Sequence, residues 1–70
     1  MTLNEIKLLA LQDQHCSMEL LNTKILNLKA KNIPFLGCVA FVQVNQQLSL
    51  GDARNCALAL PAFDAERHLL

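Results

Sequence analysis

The chain has 70 residues, six Lys and Arg against six Asp and Glu, and 53% hydrophobic residues with only 17% charged. That length allows one domain, and zero net charge lacks the basic footprint with which a protein holds nucleic acid or an acidic membrane. The longest weakly polar run, Ile33 to Val44, falls short of the ~20 residues a membrane-crossing helix needs, and the first ten residues do not read as a secretory signal because Glu5 and Lys7 interrupt them.

A helix is predicted from Thr2. Thr2-Leu3-Asn4-Glu5 is a capping box, in which the Thr2 hydroxyl accepts from the amide of residue 5 and the Glu5 carboxylate reaches back to the amide of Thr2. Helix formers continue to about Lys31 without Gly or Pro, so one long helix is expected. Lys24, Lys29 and Lys31 suit its negative pole, Asn32 ends it, and Pro34 blocks its continuation.

This helix has two apolar stripes. Leu11, Met18, Leu21, Ile25 and Leu28 follow helical spacing with Leu3 and Ala10 on the same side. Ile6, Leu9, Cys16 and Leu20 run nearly opposite. One stripe packs on the rest of the chain. The other, Ile6, Leu9, Cys16 and Leu20, is the expected partner interface, because a small charge-poor chain with surplus apolar surface buries it against another subunit.

From Asn32 to Gly51 there is no charged residue. As a helix the segment Ile33 to Val44 places Phe35, Cys38, Val39 and Val42 on one side. As a strand, residues 38–44 have the β-branched content of a buried strand. Helix is favoured, since a lone strand has no pairing partner in the chain. Gln46 to Gly51 makes a turn, Ser49 caps a helix with Asp52 in its first turn, and Pro61 ends it. The tail, residues 62–70, is expected to fray.

The stretch Leu48-Ser49-Leu50-Gly51-Asp52-Ala53-Arg54 resembles a turn in the C-terminal domain of the bacterial ribosomal stalk protein, where Leu-Gly-Leu precedes an acidic residue, Ala and a basic residue. With the surrounding helix-turn-helix segment, Val42 to Arg54, the resemblance covers about a fifth of the chain and implies a helical corner plugged by two leucines. The dense Lys and Glu of that family are missing, so no function follows from it.

Candidate chemistry is sparse. Asp13, His15, Cys16 and Glu19 are metal-ligand types, but a site needs three or four convergent ligands, and Cys38, Cys56 or His68 would have to come from afar. No metal or cofactor is expected. Cys16, Cys38 and Cys56 are odd in number and widely spaced, which fits reduced thiols in a cytoplasmic protein. No nucleophile has a positioned base, and Gly37 and Gly51 form no phosphate loop. No enzyme is expected. A DNA-reading helix-turn-helix would use Arg54, Asn55, Gln43, Gln46 and Gln47, with few cations to support it.

The reading is an all-α single domain of residues 1–70, a long N-terminal helix packed on a short helix-turn-helix pair, with α+β as the alternative if residues 38–44 form a strand. Phe35, Val39, Phe41, Val42, Leu48, Leu50, Leu58 and Leu60 are the expected core. The expected function is a small non-enzymatic regulator or adaptor that binds another protein and acts as a homo-oligomer through apolar helix faces. The alternatives are a helix-turn-helix transcriptional regulator and a structural subunit of a larger assembly.

Overall fold

A computed structural model describes residues 1–69. Helices are the only regular elements among them: α1 (Leu3–Leu11), α2 (Met18–Ala30), α3 (Phe35–Gln46) and α4 (Leu50–Ala59), followed by the 3₁₀ turns Pro61–Phe63 and Arg67–Leu69. The all-α class is therefore observed, and residues 38–44 are helical.

The expected single N-terminal helix is two helices. Thr2 caps α1 as a capping box, its hydroxyl accepting from Glu5 N–H at 3.2 Å and its own N–H donating to Glu5 Oε1 at 3.0 Å. After Gln12 the chain leaves the helix, His15 takes a left-handed conformation at φ 56°, and Ser17 caps α2 by accepting from Leu20 N–H at 3.1 Å. The cause lies on another element. Asn45 of α3 donates to the carbonyls of Ala10 and Asp13 at 2.9 and 2.8 Å, and its own carbonyl accepts from His15 N–H at 2.7 Å. Acceptors and a donor that would continue α1 are taken instead by a residue 30 or more positions away.

Helix α3 is the centre of the molecule. Helices α1 and α4 pack along it and α2 touches it. It carries no charge because it is covered on several sides: Cys38, Val39, Phe41, Val42 and Asn45 are buried. Of the two predicted stripes, Leu21, Ile25 and Leu28 reach the core from α2, while Leu3, Leu11 and Met18 are exposed.

Helix α3 ends at Gln47, which adopts φ 55°, and α2 ends before Asn32 at φ 63°. Left-handed residues terminate helices because they turn the chain away from the axis. Ser49 caps α4 through Asp52 N–H at 3.2 Å, and Pro61 follows it, both as expected. Of the expected core, Val39, Phe41, Val42 and Leu60 are buried, and Phe35, Leu48 and Leu58 are half-buried. Leu50, the first residue of α4, is 62% exposed, because the buried face of that helix is made by Ala53 and Ala57.

The expected frayed tail is docked as far as Arg67; Leu70 lies outside the described residues. Ala62 and Phe63 are buried, the Phe63 ring meets Phe35 edge-on at 5.2 Å, and Ala62 N–H donates to Asn22 Oδ1 at 2.7 Å. Lys29 Nζ donates to Ala62 O and to Glu66 Oε1, both at 2.6 Å, and lies 4.8 Å from the Phe63 ring centre. Arg67 donates to the carbonyls of Leu58 and Leu60 at 2.7 and 3.3 Å, closing the end of α4.

Candidate functional site

Helices α1 and α3 run side by side from the same end of the molecule, and their close approach is set by Gly37. A Cβ at this position would sit 2.6 Å from Ile33 Cγ2 and 3.4 Å from Ile6 Cδ1. Without it, α1 settles against the first turn of α3. A groove of about 370 Å³ opens beside this contact, lined by Met1, Leu3, Ile6, Ile33, Pro34, Leu36, Gly37 and Ala40. Not one of these residues carries a charged side chain. Leu36, on the rim, is 76% exposed, and Met1 and Leu3 beside it are half-exposed at 50 and 51%. Single exposed leucines are ordinary on a protein surface. Several of them around one concavity form a place where another apolar side chain is drawn out of water.

The interface expected on the N-terminal segment is distributed differently. Ile6 and Cys16 are buried in the chain's own core, Leu9 is half-buried, and Leu20 is 39% exposed. The break at residues 12–17 puts Ile6 and Leu9 on α1 and Leu20 on α2, so the four do not make one face. Ile6 alone belongs to the groove, as part of its floor. The sequence signal that marks the groove is different: Ile33-Pro34-Phe35-Leu36-Gly37 starts the charge-free segment, and Leu36 falls opposite the face that Cys38, Val42 and Asn45 bury.

Of the residues considered for metal binding, Asp13, His15 and Cys16 fall in the connection between α1 and α2 and Glu19 in the first turn of α2. Cys16 Sγ donates to Asn45 Oδ1 at 3.2 Å. Among the described residues no group of three or more His, Cys, Asp and Glu converges. Burial pushes the thiols of Cys16, Cys38 and Cys56 above the ordinary cysteine range, with the Asp13 charge adding to the effect at Cys16. A thiol held protonated is a poor nucleophile.

Two of the three glutamines considered as base readers, Gln46 and Gln47, are hydrogen-bonded within the chain. Gln46 Nε2 donates to Cys16 O at 3.0 Å and to Asn45 Oδ1 at 2.7 Å. Gln47 Nε2 donates to Gln14 Oε1 at 3.0 Å. Asn45 is itself fully buried and was missed in the sequence. The one signal for it was position: an amide seven residues after Cys38 and three after Val42 falls on the buried side of a helix, where a polar group persists only if all its bonds are made.

No helix among the described residues is long and apolar enough to cross a membrane. Comparison of the chain with protein-family models, curated proteins and solved structures returned no match.

Proposed function

We propose that the chain is a small non-enzymatic protein-binding module of the cytoplasm, a regulator or adaptor that docks an apolar side chain of another protein in the groove between α1 and α3. One observation carries this reading: every side chain lining the groove is uncharged, and its rim is Met1, Leu3 and the 76%-exposed Leu36. A surface of that kind gains from contact with protein and offers little to a phosphate or a polar metabolite. The cytoplasmic assignment is supported by three free cysteines, the state a reducing compartment preserves.

The test is site-specific photo-crosslinking in cells. A photoreactive amino acid at position 36 is predicted to give one discrete protein adduct. The same residue at position 26, where Leu26 is 47% exposed on α2, is predicted to give none. Equal labelling from both positions, or none from position 36, contradicts the reading.

A further inference from the structure

We propose that a second hollow, where α1, α2 and α3 meet, binds a small phosphate monoester with an apolar body through Lys24 and Lys31. This site shares no lining residue with the groove beside Leu36 and does not depend on it.

The hollow has a volume of about 170 Å³. Its floor is apolar: Leu28 and Phe41 are buried and Leu9 is half-buried. Its polar wall is Lys24, Asn27 and Lys31 from α2, with Gln12 from the end of α1. Helical spacing assembles that wall. Residues three, four and seven positions after Lys24 share its face of the helix, so Asn27, Leu28 and Lys31 stand beside it.

The charges of the wall are unmatched. Among the described residues the ion pairs are Lys29–Glu66 and Arg67–Asp64, and neither Lys24 nor Lys31 has one. No side chain in the hollow carries a negative charge. Glu5, which lines the adjoining hollow with Lys31, accepts from Thr2 N–H at 3.0 Å in the cap of its own helix. Asp13 acts on the same Cys16 thiol as Lys24 but lies outside the hollow. Lys24 is half-buried and more than a turn from the C-terminal end of α2. The helix dipole acts within the last turn, so it does not account for a cation at this place.

Two ammonium groups and two side-chain amides suit an acceptor-rich anion of charge near −2. A phosphate monoester carries about −1.5 to −2 at pH 7 and three strong acceptor oxygens, whereas a monocarboxylate leaves one lysine unmatched. The floor of Leu9, Leu28 and Phe41 offers contact to an organic body, which inorganic phosphate lacks. The hollow is smaller than the ~300–1,000 Å³ sites of drug-sized ligands, so that body is small.

The test is a titration of the full chain followed by two-dimensional amide NMR, with helix content checked by circular dichroism. Phenyl phosphate is the probe, and inorganic phosphate and phenol are its separate halves. Saturable shifts are expected at Gln12, Asn27, Leu28 and Phe41, with each half binding at least about tenfold more weakly. Lys24→Met keeps the apolar stem and removes the charge. It is expected to weaken binding at least about tenfold at unchanged helix content. Lys7→Met, at an exposed position of α1 outside the hollow, is expected to bind as the natural chain does. Absence of saturation by phenyl phosphate at millimolar concentration overturns the proposal, and so does equal binding by Lys24→Met. Inorganic phosphate binding as tightly as the ester would show that the floor takes no part, and phenol binding as tightly would show that the lysines take none. Either result contradicts a phosphate monoester site.

Discussion

Asn45 makes the largest number of structural decisions of any single side chain. Its Nδ2 donates to Ala10 O and Asp13 O, and its Oδ1 accepts from Cys16 Sγ and Gln46 Nε2. That uses both donors and both lone pairs of a buried amide. Asn45→Ala takes the side-chain donor from the carbonyls of Ala10 and Asp13 and the acceptor from the Cys16 thiol and one N–H of Gln46. At ~1–3 kcal/mol for each unsatisfied group, a loss of at least about 3 kcal/mol is expected. A domain this small has a net stability of only ~3–5 kcal/mol, so thermal unfolding monitored by circular dichroism should find the variant largely unfolded. A change of less than about 1 kcal/mol would mean that the 12–17 connection holds its shape without Asn45.

Gln47 illustrates the opposite situation, a residue in a conformation its type resists. Its φ of 55° is one in which a side chain costs ~1–2 kcal/mol and glycine costs little. Gln47→Gly is expected to gain about 0.5–1 kcal/mol, reduced by the greater freedom of glycine in the unfolded chain and by loss of the bond to Gln14. Chemical denaturation read by helix content measures it.

Between elements, the two glycines carry opposite predictions. Gly37 sits where α1 meets α3, and an added Cβ would meet Ile33 Cγ2 at 2.6 Å, a methyl fixed to a β-branched carbon. Gly37→Ala is expected to destabilise by about 1–3 kcal/mol through overpacking, in spite of the better helix propensity of alanine. Gly51, in the first turn of α4, has nothing within 4 Å of the same position, so Gly51→Ala is expected to stabilise by about 0.5 kcal/mol. Urea midpoints of the two variants should move in opposite directions.

The elements were legible to the extent that their ends are local. Thr2 and Ser49 cap through their own neighbours, and Pro61 stops α4 by lacking an N–H. The break after α1 was not legible, because its cause is long-range. Ser17 is an ordinary cap, and His15 is not the glycine that advertises a left-handed turn. The groove was legible only as a charge-free segment. That its open side is at Leu36, and that Ile6 and Cys16 turn inward, follows from the packing of α1 on α3 and not from any periodicity within either.

At the scale of the molecule, the helices pack compactly. Its radius of gyration is 10.7 Å, against about 11 Å for a compact chain of this length. Its surface of 4317 Å² is close to the roughly 4400 Å² of a folded monomer of its mass. The surplus apolar residues therefore remain at the surface of a closed fold, as the rim of the groove and as isolated leucines such as Leu8 and Leu26.

The C-terminal turns belong to this unit through Lys29 and Glu66, and that connection has a pH signature. The hydrogen bond from Lys29 holds the Glu66 carboxyl below the ordinary glutamate range, and Thr2 does the same to Glu5. A carboxyl whose folded pKa is lowered stabilises the fold above its unfolded value, about 4.3, and that contribution is lost as pH falls from there through the lowered folded value. The melting temperature is expected to be flat near neutrality and to fall below about pH 4.3, with a shallower fall in Glu66→Gln. Identical acid profiles for the two chains would show that Glu66 does not fasten the tail.

The central claim is that the molecule works through the groove beside Leu36, and crosslinking from that position in intact cells addresses it most directly. Mass spectrometry of the adduct from position 36 should identify a single polypeptide, joined through an apolar segment. Labelling no stronger from position 36 than from position 26 would show that the groove has no partner and that the docking account is wrong.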